Sequence, residues 1–262
     1  MEETPRVLTT SAVPDSMQYK RIIQWTVDQN FQKFDISFPD TTYNFHLDDY
    51  PFRKKDVNAS WLGVSGSPVQ YYNFHRRQQN SCGVESFDAL ESWTYDVGTV
   101  RHFNTKTPYT ELAYYGTLLA GTEKESDNIH LFTTQNIFPA FNFSLLFDRW
   151  GGGGFLKNQE TKNGTAVVNV NYLGKKYTAH SGFIHNKVSA GENGGIQDIQ
   201  TVQDRQIDSR SIPVFSETAY SKVLKNTVYL DQQLRIPFEF INRIKARKDS
   251  TFVDSDSLLN RN

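Results

Sequence analysis

Between Phe141 and Asp148 the side chains change character at every residue. Phe141, Phe143, Leu145 and Phe147 fall on one side. Asn142, Ser144 and Asp148 fall on the other, with Leu146 as the one exception. On a helix, positions two residues apart wrap around the whole circumference, whereas along a strand they share a face. The run is therefore predicted as a β-strand with one apolar and one polar face. Two further stretches repeat the pattern. Ala166, Val168, Val170 and Tyr172 oppose Thr165, Val167, Asn169 and Asn171. Val228, Leu230, Leu234 and Ile236 oppose Tyr229, Asp231, Gln233 and Arg235, with Gln232 out of pattern. Weaker alternation over residues 57–64, 69–75, 110–120, 128–136 and 176–188 predicts a chain of about eight strands between 57 and 240.

Turn chemistry gives the register of one pair. Gly174-Lys175 lies between two strand-like runs, and glycine at the first turn position suits a two-residue type II′ hairpin. That turn would pair Tyr172 with Tyr177, Val170 with Ala179 and Asn169 with His180, bringing apolar face to apolar face. Short turns are expected at 137–140 and 174–175, and longer connections at 121–127, 150–163 and 189–225. Such alternation of short and long connections fits an up-and-down transmembrane barrel, whose turns are short on one side and whose loops are long on the other. The strands also approach the roughly 9–11 residues that a tilted strand needs to cross hydrocarbon. Phe138, Tyr172 and Tyr177 by the short turns, with Trp150 and Phe155 by a long loop, would supply interfacial aromatics. A soluble β-sandwich that binds carbohydrate on exposed aromatics is the alternative that alternation alone leaves open.

Composition narrows the function. Aromatic residues make up 14% of the chain, yet mean hydropathy is only −0.58. Aromatics in so polar a chain suit a surface facing lipid, sugar or a partner. The formal net charge of −1 gives no electrostatic case for a nucleic-acid partner. No run approaches the roughly 18 apolar residues of a spanning helix. A single cysteine, Cys82, excludes an intrachain disulfide framework and a cysteine-built zinc site. Residues 1–56 and 241–262 read as polar flanking segments, the first periplasmic or extended.

The stretches Trp61-Leu-Gly-Val-Ser-Gly-Ser-Pro68, Phe103–Tyr115, Gln135–Phe143, Lys157–Lys162, Gly174–His180 and Asn186–Ile196 resemble the putative porin family of Bacteroidota outer membranes. The resemblance implies an outer-membrane β-barrel, exported with a signal peptide and folded by the barrel-assembly machinery. Family members are longer than this chain. Met1-Glu-Glu-Thr-Pro5 is acidic and no apolar leader core follows it. The carboxy terminus, Leu258-Leu-Asn-Arg-Asn262, is not the aromatic-ended strand such barrels finish on. The chain is accordingly read as an incomplete fragment matching the amino-terminal part of a longer protein.

Other motifs carry little chemistry. Gly63-Val-Ser-Gly-Ser67 nearly spells the G-x-S-x-G nucleophile elbow, but Pro68 stands where the elbow's helix should begin, so a tight turn is expected. An outer-membrane esterase or phospholipase is the remaining enzymatic alternative. Gly151–Gly154 lacks the Lys-Ser/Thr and the helix of a phosphate loop. His180 and His185 have opposite parity, so one strand cannot aim both at a metal.

The sequence reading is thus an all-β, antiparallel, transmembrane up-and-down barrel that passes small hydrophilic solutes through the outer membrane, with no catalytic residue, metal or cofactor. Asp148, Asn169, Asn171, His180, Asp231, Gln233 and Arg235 are expected to line the pore. Phe141, Phe143, Leu145, Phe147, Val168 and Val170 are expected to face lipid.

Overall fold

A computed structural model of the 262-residue chain describes residues 22–28, 34–39, 50–76, 90–116, 126–203 and 207–235. The expected polar segment 241–262, Cys82 and the first 21 residues lie outside the described residues.

The chain is all-β and every strand pairing in it is antiparallel. Six strands form one meander in which each pairs with the next: β6 (Tyr109–Tyr115), β7 (Ser126–Phe138), β8 (Phe141–Gly152), β9 (Thr161–Leu173), β10 (Tyr177–Gly191) and β11 (Tyr220–Leu234). The alternation over 141–148 is realised as expected: Asn142, Ser144, Leu146 and Asp148 are buried, while Phe141, Phe143, Leu145 and Phe147 lie on the opposite face. Among the described residues, β6 and β11 pair on one side only, so the sheet is open.

The short turns at 139–140 and 174–176 share one end of the sheet, and the long connections 153–160 and 192–219 share the other. The two long connections touch. Asn158, held at φ 54, donates its side-chain amide to the carbonyls of Glu192 and Ala219, and Lys157 Nζ lies 2.6 Å from Glu217. A short helix, α2 (Ile199–Gln203), lies within the second connection.

The hairpin register differs from the expected one by two residues. Tyr172 faces Ala179 and Asn171 faces His180, and the turn residues are Lys175 and Lys176, closed by Gly174 N–H donating to the Tyr177 carbonyl. Gly174 is not at positive φ. Its role is close approach: a Cβ there would sit 2.7 Å from the Tyr172 ring. A two-residue slip keeps every side chain on its face, so the expected faces survive the altered register.

Residues before β6 are organised otherwise than expected. Strands β1 (Ile22–Val27), β2 (Phe34–Ser37) and β5 (Arg101–Thr105) form a separate three-stranded sheet in the order β2-β1-β5. The expected strands 57–64 and 69–75 shrink to β3 (Ala59–Trp61) and β4 (Val69–Tyr71), which pair only with each other. Gly63-Val-Ser-Gly-Ser67 is the turn between them, with Gly63 and Gly66 at positive φ. Helix α1 (Pro51–Lys55) starts at a proline, which suits a first helical position because its missing N–H would have no partner there. The described residues before β6 pack on one face of the meander, with β5 crossing over β7, β8 and β9.

The core is therefore not between strands of one barrel wall. It lies between the meander and the preceding segment. Tyr50, Phe52, Leu90, Trp93, Tyr95 and Phe103 from the segment meet Phe132, Leu146, Trp150, Val167, Ile184 and Val188 from the sheet. Trp150, expected at an interface, is 2% exposed, with Trp93 6.1 Å and Tyr50 6.4 Å away. The expected aromatic positions at the turn end do stand outside: Phe138 stacks on Phe141 at 5.2 Å, and Tyr172 meets Tyr177 at 6.0 Å.

Candidate functional site

Much of the outer face of the meander is apolar and is left uncovered by the described residues, with Arg149, Lys162, Lys187 and Lys222 exposed toward its long-loop end. Phe147 is 41%, Val168 37%, Leu230 60% and Val228 77% exposed. Leu112, Leu224 and Leu234 are exposed as well, so the apolar surface runs from β6 across to β11. Phe141, Phe143, Leu145 and Val170 are half-buried only by their neighbours on the same face. Soluble monomers seldom carry so extended an apolar patch.

The inner face is polar but dry. Asp148, Asn169, Asn171 and His180 are all buried, and the described residues between 22 and 105 stand where the sequence reading put water. Asn169 Nδ2 donates to the Arg101 carbonyl at 2.9 Å and Asn171 Nδ2 to the Phe103 carbonyl at 3.1 Å. The Trp25 indole N–H donates to His180 Nε2 at 3.2 Å. Asn186 closes a two-way bond with the Tyr95 backbone, at 2.9 and 2.8 Å. Asp231 and Gln233 lie on the same face toward the open edge, half-buried, and Arg235 is exposed just past β11. His180 Nδ1 is 3.5 Å from Asp231. His185 points the other way, onto Asn226 at 2.7 Å, as its parity requires.

Asp148 ties the sheet to the preceding segment. One carboxylate oxygen accepts from the Tyr95 hydroxyl at 2.6 Å, and the other lies 2.5 Å from His130 Nδ1. His130 Nε2 is 3.0 Å from Glu111, and Glu111 is 3.4 Å from the Arg101 guanidinium. Arg101 in turn lies over the Phe132 ring at 5.2 Å. The chain of contacts runs from sheet to segment and back. Sequence reasoning missed Tyr95, Glu111, Arg101 and His130, because their partners are up to 91 residues away. One signal was present: Leu146 and Val167 break the polar face, and they face each other across β8 and β9. An apolar pair on a supposedly hydrated wall marks a place where something apolar docks.

This network does not assemble a nucleophile. Both ring nitrogens of His130 are engaged by carboxylates, whereas a Ser-His-Asp triad needs one of them turned to a serine. The Ser65 hydroxyl bonds Asn128, and that of Ser67 bonds the Leu62 carbonyl. Among the described residues no three His, Cys, Asp or Glu side chains gather around a common metal position. His102 on β5 is fully buried, stacked on Trp25 at 6.1 Å and 4.8 Å from His180. Burial, and secondarily the neighbouring His180, push its pKa well below the ordinary histidine value, which suits a neutral ring.

Compared with known proteins, the chain matches a family model described as putative porin over residues 21–260. No curated protein and no solved structure matches it.

Proposed function

The chain belongs to the putative porin family, and from that premise we propose that it forms part of an outer-membrane β-barrel through which small hydrophilic solutes diffuse. The observation that carries this reading is the sidedness of the meander: apolar side chains from Phe141 to Phe147, over Val168, Val170 and Phe183 and on to Val228 and Leu230 on the outer face, and mainly amides and hydroxyls around the docked apolar residues on the inner one. In hydrocarbon an unpaired backbone N–H or C=O costs several kcal/mol, so a membrane setting requires both edges of the sheet, β6 and β11, to be paired. Phe141, Phe143, Leu145, Phe147, Val168 and Val170 then contact lipid. The short turns lie on the periplasmic side and the tied loops 153–160 and 192–219 outside.

The exposed outer face also speaks against the carbohydrate-binding sandwich. A water-soluble sandwich would leave this surface facing solvent, and the aromatics available for sugar stacking are mixed with aliphatics that offer a sugar no flat platform. No chemical step is invoked, and lipid, solute and the assembly machinery are the partners.

The inner face is rich in neutral groups, among them Asn128, Asn142, Asn163, Asn169, Asn171, Thr134 and Thr165. Selectivity by lumen charge should therefore be weak. Liposomes carrying the full-length protein are expected to swell in isotonic small neutral sugars at rates set by solute size, with little preference between a cation and an anion of similar size. Impermeability to every small solute would contradict the reading.

A further inference from the structure

We propose that the solute path of the closed barrel runs along the outward face of the β3–β4 hairpin, lined by Asn58, Ser60, Gln70 and Tyr72, and not along the polar wall of the meander. This rests on the porin reading above and adds to it the surface that solutes meet.

The segment before β6 is held on the inner wall from one end of the sheet to the other. Toward the long-loop end, Trp93 reaches Trp150 of β8, and Glu91 pairs with Lys225 of β11 at 2.8 Å. Phe103 of β5 is fully buried and packs on Phe132 of β7 at 4.8 Å. Its neighbour Arg101 pairs with Glu111 of β6. Toward the short-turn end, Trp25 donates to His180, and Trp25 and Val27 cluster with Leu173. A body held in this way fills the space in front of Asn169, Asn171 and His180, so no aqueous route runs there.

The hairpin is fixed to the sheet with the rest of the segment. Thr161 Oγ1 donates to the Ser65 carbonyl, and Asn163 Nδ2 to the Gly66 carbonyl at 3.0 Å. The Trp93 indole N–H donates to the Ser67 carbonyl at 2.7 Å. A Cβ on Gly66 would stand 2.7 Å from the Asn163 amide nitrogen, so turn and sheet are in contact. These contacts set which way the hairpin faces. Along a strand, side chains two apart share a face. Ala59 and Val69 are buried in the main core, with Trp61 and Tyr71 packed against it. The register pairs Ala59 with Tyr71 and Trp61 with Val69, so these four form the inward face. Ser60 opposes Gln70 on the other face. Tyr72, whose N–H donates to the Asn58 carbonyl, continues that face. Tyr72 is 62% exposed, and Asn58 is exposed as well. Ser60 Oγ and Gln70 Nε2 donate only to the carbonyls of the residues that follow them, Trp61 and Tyr71. Among the described residues, none from elsewhere in the chain bonds these two side chains.

The composition of this face fits its occupant. Two amides, a hydroxyl and a phenol offer donors, acceptors and one flat ring, and no charge. Hydroxyl-rich neutral solutes such as sugars match that set, exchanging water for the amides and laying a C–H face on the Tyr72 ring. Lipid takes the outer side of the meander and the docked segment takes its inner side. Inside a closed barrel, water is left with the side of the segment turned away from the meander, and this hairpin presents it.

The test is conductance of the full-length protein in planar bilayers, in a background free of other cysteines that includes Cys82→Ser. Single variants Ser60→Cys, Gln70→Cys and Tyr72→Cys, and Ala59→Cys and Val69→Cys on the inward face, are treated with a bulky, water-soluble thiol reagent. The current is expected to fall at least about threefold for the first three, to return with reductant, and to stay unchanged for the last two. Unchanged current at all three outward positions overturns the path while leaving the porin reading intact. Block at Ala59→Cys or Val69→Cys also overturns it, because the inward face would then be wet. So does block at Asn169→Cys with none at the outward positions, which would put the route between segment and sheet. Silence of the untreated protein overturns the porin reading itself. A second measurement needs no reagent. In a salt gradient, Gln70→Glu should move the reversal potential toward cation selectivity and Gln70→Lys toward anion selectivity. The same reversal potential in both variants counts against the path.

Discussion

Val168→Arg is expected to block membrane assembly of the full-length protein, with a cost of about 2–4 kcal/mol if the position lies near the bilayer midplane. Val168 sits in the middle of β9, between Leu145 of β8 and Phe183 of β10. Its side chain is 37% exposed on a face that none of the described residues covers. If that face meets water, an arginine there is nearly harmless, because substitutions at exposed sites away from special features usually stay within about 0.5 kcal/mol. If it meets lipid, the guanidinium loses its hydration with no partner in reach. Folding into vesicles of defined thickness, followed by denaturant titration, measures the difference. Leu145→Arg should behave similarly. A wild-type assembly yield and midpoint for both variants would place this surface in water.

Asp148→Ala is expected to destabilise the folded protein by about 3–5 kcal/mol, since removing one partner of a buried ion pair leaves the other uncompensated. Asp148 has no exposed side-chain surface, and it holds both Tyr95 of the docked segment and His130 of β7. Tyr95→Phe removes only the hydroxyl and should cost about 1–3 kcal/mol, the penalty of leaving a buried acceptor short of a donor. The sequence reading placed Asp148 on a water-filled lumen, where its loss would be nearly silent. Denaturant midpoints of the two variants in detergent therefore separate a hydrated wall from an internal docking site. Midpoints indistinguishable from wild type would show that the segment does not rest on this carboxylate.

The difference between these two cases shows which features the sequence carries. A period of two is local, so which residues of β8 and β9 share a face can be read from neighbours alone, and the structure keeps those faces. The register of β9 against β10 is less local. Gly174 reads as a turn glycine, but it is needed because the Tyr172 ring lies over it, and this moves the turn by one residue. The covering of the inner face is not local at all. Trp25, Phe52 and Trp93 lie in polar, aperiodic stretches, and they reach the sheet, Trp25 at His180 and Trp93 at Trp150, only through contacts across more than 50 positions. The pairing of Leu146 with Val167 was the visible trace of that docking. Polarity alone made the wall look hydrated, yet an amide that binds backbone carbonyls is as polar as one that binds water.

The central claim is that the two faces of the meander meet different media, lipid outside and polar groups inside. Its most direct test is a single-residue scan along β9 in vesicles. A fluorophore is placed in turn at residues 166 to 171 of the full-length protein, with Cys82 replaced, and quenched by lipids carrying bromine or nitroxide on their chains. The account predicts strong quenching at 166, 168 and 170 and little at 167, 169 and 171, with the same alternation on β8. Quenching by a water-soluble agent at 166, 168 and 170, with none from the lipid chains, would contradict it.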